Sequence, residues 1–319
     1  MVGVHTINTL RHEAFRAKQL GQYRLTEPIG KGGMGEVWKA EHALLARAAA
    51  VKLIRPEVLD PGDPAKAESM IRRFEREAQN TANLRSVHTV ELYDFGITDS
   101  GTFYFVMELL DGLDLETLVK ESGPLPPARA RYLLRQVCDS LQEAHEQGLV
   151  HRDVKPANVL ACRLGGNYDF VKVLDFGLAK QREPVGGSQD ARLTREGMII
   201  GTPAYMPPET VTRGISDARS DIYALGCVMF WLLTGQLVFE SSDAMSMVVR
   251  HAQEAPARPS TRSTSSIPAA LDRVVLACLE KDPDARPQSA AEVKRMLDEC
   301  SLEDTWTEAE AAAWWASRR

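Results

Sequence analysis

The chain has little cysteine, no excess of positive charge and no long apolar run. Five cysteines occur in 319 residues (Cys138, Cys162, Cys227, Cys278, Cys300), none in a CxxC spacing. That scatter argues against a zinc site or a disulfide framework and fits a reducing cytoplasm. The most apolar stretch, Ile222–Leu233, is too short to cross a bilayer, and no apolar run follows a basic start, so no membrane span or leader peptide is expected. The formal net charge of −6 leaves no basic footprint for nucleic acid. Internal repeats are absent. What is present is a chain with 44% hydrophobic and 26% charged residues, the balance of a soluble globular protein. It is long enough for one large domain or two lobes with ample core.

Local patterns divide the chain. Thr9–Leu20 reads as a short helix. Tyr23–Ile29, Glu36–Ala40 and Arg47–Ile54 read as strands, Pro56–Pro64 as a loop and Lys66–Leu84 as a helix. Glu91–Phe95 and Thr102–Met107 complete a small sheet with one helix. The rest is mainly helical. Pro127–Gln147 carries Leu133, Val137, Leu141 and Ala144 at helical spacing and ends at Gly148. Ser220–Thr234 is apolar nearly all round, which predicts a helix buried on every side, stopped by Gly235. Glu254–Pro268 reads as a loop, and Ala269–Glu280 and Ser289–Glu299 as amphipathic helices. The segment after Ser301 holds Trp306, Trp314 and Trp315, which either pack on the second part or meet a partner; packing is the simpler expectation.

The chemistry concentrates in His151–Leu160, HRDVKPANVL, at the end of a helix-like run. An aspartate, Asp153, is followed two residues on by Lys155 and five residues on by Asn158; Asp175, in an Asp-Phe-Gly triplet, stands seventeen positions beyond Asn158. Phosphoryl transfer from ATP needs such a set: a carboxylate to orient a hydroxyl, a cation near the moving phosphate and two oxygen ligands for magnesium. Upstream lies Gly30-Lys-Gly32-Gly33-Met-Gly35-Glu-Val37. Glycines let backbone N–H groups approach phosphates, although alone the run is equally a hairpin turn. A dinucleotide fold would need a helix immediately after it, and the next residues read as a strand. In Ala48–Ile54, strand alternation puts Ala50, Lys52 and Ile54 on one face. Lys52 is then either a phosphate-binding cation or an edge lysine reaching for water. Glu77 is three positions beyond the apolar Phe74 and faces the same way, which makes it the preferred carboxylate partner over Glu68 and Glu75.

Together these motifs resemble the eukaryotic-like serine/threonine protein kinases of bacteria, from Tyr23 to Glu299. MGEVW, KPANVL and YMPPE are closer to the bacterial than to the animal wording. The resemblance implies an α+β, bilobal kinase fold: an extension over 1–22, a kinase domain over 23–299 (a β-rich lobe to about 107, a helical lobe from about 111) and a tail over 300–319. It implies transfer of the γ-phosphoryl group of ATP to serine or threonine of protein substrates, with Mg2+ as cofactor, in signalling within the cytoplasm, and possible self-association for autophosphorylation. Asp153 would be the catalytic carboxylate, Lys155 the γ-phosphate cation, Lys52 and Glu77 the α/β-phosphate clamp, and Asn158 and Asp175 the metal ligands. Thr202 would contact Asp153 and Lys155. Ile29, Val37, Ala50, Met107 and Leu160 would line the adenine pocket beside the glycines. Glu108 and Leu110 would offer backbone groups to the base, and Asp114 would meet the ribose. Arg152 would read a phosphate on an activation loop over Leu178–Met206, on Thr194 first and Ser188 second. Glu209 and Arg286 would form a buried ion pair, and Asp221 would anchor the catalytic loop.

Two departures stand out. Pro207 replaces the small residue usual before Pro208-Glu209. Ala157 occupies a position where many arginine-directed kinases carry glutamate, so a basic substrate motif is not expected. Two rivals to the kinase reading are a catalytically silent scaffold and a small-molecule kinase. The first is disfavoured by the full set of Lys52, Glu77, Asp153, Asn158 and Asp175, the second by Thr202, Glu209 and Arg286.

Overall fold

A computed structural model describes residues 19–32, 35–54, 64–98, 101–176 and 203–318, without the side chains of 64–71 and 73. The chain forms two compact units: residues up to 83 with 90–110, and residues 84–89 with 111 onward.

Among the described residues the first unit is an antiparallel sheet with one helix. Its strands are β1 (Gln19–Leu20), β2 (Tyr23–Gly32), β3 (Gly35–His42), β4 (Ala48–Ile54), β5 (Leu92–Ile97) and β6 (Phe103–Glu108), in the order β1-β2-β3-β4-β6-β5. The helix α1 spans Pro64–Ala82. Gln19 and Leu20 pair with β2 instead of ending a helix; the rest of that expected helix lies outside the described residues. Period-two alternation sets the two faces of the sheet. Trp38, Ala40, Ala49, Val51, Leu53 and Val106 are buried in a core on one face. Gly35 has a steric reason to be glycine: a Cβ there would lie 1.7 Å from the Leu53 carbonyl oxygen.

The second unit begins with a sheet missed by the sequence reading: β7 (Gly112–Asp114), β8 (Val159–Leu164) and β9 (Asn167–Val173), in that order. Short strands interrupted by Gly165-Gly166 carry too little periodicity to stand out. The helices are α2 (Leu115–Ser122), α3 (Pro127–Glu146), α4 (Pro208–Thr212), α5 (Ala218–Thr234), α6 (Ala244–Gln253), α7 (Ala269–Cys278), α8 (Ala290–Asp298) and α9 (Glu308–Ala316). As its composition predicts, α5 is buried nearly all round; a capping box from Asp217 and Ser220 starts it, and Gly235, at φ 67°, ends it. Residues 84–89 join this unit because Glu143 accepts the N–H groups of Arg85 and Ser86 (2.6 Å each) and the His88 carbonyl accepts from Val173 N–H (2.7 Å). All five cysteines are buried free thiols, and no described helix is long and apolar enough to cross a membrane.

Candidate active site

In the first unit the sheet register gathers the predicted nucleotide residues. Lys52 stands opposite Val37 on one side and Phe105 on the other; Ala50 stands opposite Met107. Cross-strand partners share a face, so Val37, Ala50, Lys52, Phe105 and Met107 line the face away from the Trp38 core. The helix α1 covers part of this face, since the Phe74 ring lies 5.2 Å from Phe103 and 6.1 Å from Phe105. Among its described side chains Phe74, Ala78 and Thr81 are buried. Glu77 lies nearer the middle of that stripe than Glu75, although both side chains are half-buried. Lys52 is only 8% exposed; a lysine so buried needs a counter-group, and both Lys52 and Glu77 are engaged in interactions rather than free.

The glycine run forms the end of the β2–β3 hairpin, with Gly30 opposite Val37 and Gly32 opposite Gly35. Gly33 lies outside the described residues. A bulge between Pro28 and Gly30 displaces Ile29, which is 49% exposed. Glu108 spends its backbone N–H on the Glu91 carbonyl at 3.0 Å, so any backbone contact from it to a base falls to its carbonyl. Leu110 is half-buried.

In the second unit the catalytic loop hangs from α5. One Asp221 carboxylate oxygen accepts from His151 N–H (2.7 Å) and the other from Arg152 N–H (2.8 Å), the anchoring that the resemblance implies. His145, on α3, adds a contact from Nε2 to Asp221 at 2.8 Å; it had no motif to mark it. His151 is a structural hinge pin. Its Nδ1 accepts from Asp153 N–H (3.2 Å), and its Nε2 lies 2.7 Å from the Leu174 carbonyl oxygen. Its ring packs 4.6 Å from Phe176.

These anchors present a small polar cluster. Lys155 Nζ donates to Asp153 Oδ2 at 2.9 Å, and Asn158 Nδ2 donates to the same oxygen at 3.0 Å and to the Asp153 carbonyl at 2.9 Å. Both Asn158 N–H bonds are thereby committed, and its amide oxygen is turned away from them. Leu174 N–H donates to the Asn158 carbonyl at 2.9 Å, which ties Asn158 to the residue before Asp175. Arg152 and Asp175 both hold left-handed backbone, at φ 63° and 60°. Such conformers cost of order 1–3 kcal/mol and persist only where the surroundings over-determine them, often at functional sites.

Asn158 and Asp175 offer hard oxygen donors of the kind that magnesium takes, with phosphates and water completing the shell. No cluster of three or more His, Cys, Asp or Glu suited to a metal occurs among the described residues. Leu160 is half-buried on β8 opposite Asp114. Asp114 caps α2, accepting from Thr117 N–H (2.8 Å) and Thr117 Oγ1 (2.7 Å). Each of its oxygens keeps a lone pair for a ribose. Ser188, Thr194 and Thr202 lie outside the described residues.

The expected Glu209–Arg286 pair is present and bidentate, at 2.9 and 2.8 Å, with Arg286 3% exposed. Burial pulls the Glu209 carboxyl up, but the hydrogen bonds from Arg286 and Ser220 outweigh it and hold the group below the usual range. Arg286 stacks 4.9 Å from the Tyr223 ring. Tyr223 Oη meets His251 Nδ1 at 2.9 Å. Burial, aided by Lys281, pushes His251 down to about 4.

The family model for the protein kinase domain matches residues 23–297. Serine/threonine-protein kinase PknB of Mycolicibacterium smegmatis is 40% identical over 279 residues, 86% of this chain and 42% of PknB. Serine/threonine-protein kinase pkn3 of Myxococcus xanthus is 36% identical over 277 residues, 86% of this chain and 49% of pkn3. The chain thus spans less than half the length of these relatives. Among solved structures, the kinase domain of Mycobacterium tuberculosis PknI superimposes with a TM-score of 0.68 at 26% identity, covering 89% of this chain and 98% of that one.

Proposed function

This chain belongs to the protein kinase domain family, and from that premise we propose that it transfers the γ-phosphoryl group of magnesium ATP to serine and threonine hydroxyls of proteins. One observation carries the reading: Lys155 and Asn158 converge on the same Asp153 oxygen, on a loop held by Asp221. In this reading residues 23–299 are the catalytic domain, flanked by the extension 1–22 and the tail 300–319.

Asp153 accepts the substrate hydroxyl hydrogen and aims its oxygen in line with the phosphorus; the transition state is loose, so orientation matters more than early deprotonation. Lys155 neutralises charge growing on the transferred group. Thr202 holds Asp153 and Lys155 in place. Asn158 and Asp175 would hold magnesium, which when bound would supply positive charge against the phosphate oxygens. Lys52, steadied by Glu77, holds the α- and β-phosphates under the loop of Gly30, Gly32, Gly33 and Gly35. Ile29, Val37, Ala50, Met107 and Leu160 hold the adenine, backbone groups of Glu108 and Leu110 read its edge, and Asp114 meets the ribose. Catalysis is then positioning and electrostatics.

The regulatory reading is that phosphate on Thr194 pairs with Arg152 through charge-assisted hydrogen bonds. Arg152 suits this because its backbone is fixed by Asp221 one residue before Asp153. Autophosphorylation between two copies would supply that phosphate, and the buried free thiols fit a cytoplasmic setting.

The test is transfer from labelled ATP in the presence of magnesium, to the chain itself or to a generic protein. Asp153→Asn should lower the rate by about 10²–10⁴-fold. Wild-type protein that binds ATP and transfers nothing would overturn the activity. Fully active protein that carries no phosphate on Thr194 would overturn only the regulatory part.

A further inference from the structure

The segment beyond the matched kinase stretch meets β9 of the second unit at Asp169. Asp169 lies in β9, is 0% exposed and holds left-handed backbone at φ 52°. Its two oxygens take four donors. Arg129 of α3 gives two, from Nε and Nη2, both at 2.8 Å. The other two are indole N–H groups from the tail, Trp306 at 2.9 Å and Trp315 at 2.8 Å. The tail also clasps the arginine, since Trp314 stacks 3.8 Å from its guanidinium.

Packing alone does not require this arrangement. A buried ion pair can often be replaced by apolar residues with little loss. Four directed bonds do something that apolar contact does not: they specify one backbone conformation at a residue that would otherwise relax. Beyond Asp169 the strand is pinned step by step. Gln136 accepts from Val171 N–H and donates to the Asp169 carbonyl, both at 3.0 Å. The His88 carbonyl accepts from Val173 N–H, and Leu174 N–H is bonded to Asn158. The next residue is Asp175, itself left-handed.

We propose that Trp306–Arg318 is a strap whose closure on Asp169 sets the position of Asp175, making Asp169, Trp306 and Trp315 positioning residues for the magnesium site. The proposal rests on the kinase reading of Asp175. Losing the two indole donors lets β9 relax at Asp169, and the slack reaches the metal ligand six residues on.

The test is calorimetric titration of the full chain with a non-hydrolysable ATP analogue, with magnesium and with EDTA. In Trp306→Phe/Trp315→Phe, which keeps both aromatic rings, the magnesium-dependent gain in affinity should fall by roughly threefold to tenfold, at or below the low end for outer-shell partners of a metal ligand. Affinity in EDTA should stay at the wild-type value. Arg318→Ala is the control: it cuts the outer anchor of the tail to Glu121 and Ser122 and the stacking of Arg318 on Trp314, keeps all four donors to Asp169 and should leave the magnesium gain unchanged. An unchanged gain in the double variant overturns the strap. So does an equal loss in Arg318→Ala, or a loss that appears equally in EDTA. If the double variant does not fold, Trp306→Phe alone, at a half-buried ring, should show a smaller loss of the same kind, and a wild-type gain there overturns the strap. Wild-type protein that binds the magnesium complex but transfers no phosphate ends the proposed activity while leaving these titrations decisive for the strap.

Discussion

Two regions of the second unit solve the same electrostatic problem differently. Each buries an arginine against a carboxylate with two short bonds, Arg286 with Glu209 and Arg129 with Asp169. Around the first pair the remaining bonds come from inside the family match. Backbone carbonyls of Arg219, Glu280 and Lys281 accept from Arg286, Ser220 donates to Glu209, and Tyr223 leads on to His251 and Lys281. Around the second pair the extra donors are indoles from a segment outside the family match. The first region is therefore complete within the kinase domain and sits among titrating groups. The second depends on a distant piece of chain whose donors do not titrate.

The largest effects come from breaking either pair. Arg286→Ala and Arg129→Ala each leave a buried carboxylate without its cation, which typically costs about 3–5 kcal/mol. Chemical denaturation measures both. The comparison adds a second readout: Arg129→Ala also removes the stacking partner of Trp314, so limited proteolysis should cut within 301–319 in that variant and not in Arg286→Ala. Equal resistance in the two would mean that the tail is held without the pair.

Acid should separate the regions next. His251 is held down to about 4 against 6.5 for a free histidine, so the unfolded chain takes the proton first. The stability that this supplies is complete above pH 6.5 and is lost as pH falls through about 4. At 1.36 kcal/mol per pH unit of separation it amounts to roughly 3 kcal/mol. Glu209, held below its usual range, contributes stability present above its unfolded pKa of about 4.3 and lost as pH falls through its still lower folded value. The expected record is a loss between pH 6.5 and 4 that disappears in His251→Asn, whose amide oxygen still accepts from Tyr223, followed by a further loss at lower pH. An unchanged slope in His251→Asn would remove His251 as its source.

The same comparison shows what was legible in the sequence. Ala50 and Lys52 were readable because strand alternation is a local rule, Val37 and Met107 only through the family resemblance, and the register places all four on one face. Glu209, Arg286 and Asp221 were readable because family motifs mark them at fixed places. Asp169 and Arg129 had neither aid. Forty residues separate them, the strand holding Asp169 is short, and the tryptophans that complete the site lie outside any motif. His145 was hidden for the same reason: its partner Asp221 is a long-range contact. A helix spacing can say that a histidine is on the inner face, but not which carboxylate waits there.

The smallest expected effect tests whether the strap closes as one piece. Trp315 is 6% exposed, and Trp315→Phe deletes a hydrogen bond to a carboxylate with no water at hand to replace it, a loss of about 1.5–3 kcal/mol. Trp306 is half-buried. Trp306→Phe deletes the same kind of bond where water can take its place, and the phenyl ring keeps part of the contact with Arg129, which lies 4.9 Å from the indole. Its cost should be about 1 kcal/mol, near the value of an ordinary hydrogen bond. Denaturation of the two single variants and the double variant forms a cycle. Costs that add within about 0.5 kcal/mol would mean two independent bonds to Asp169. A Trp306→Phe cost equal to that of Trp315→Phe, with the double variant little worse than either, would mean that losing one indole releases the other. The tail would then be a two-state latch, set apart from the Glu209–Arg286 region, where each bond comes from a segment already fixed by the domain.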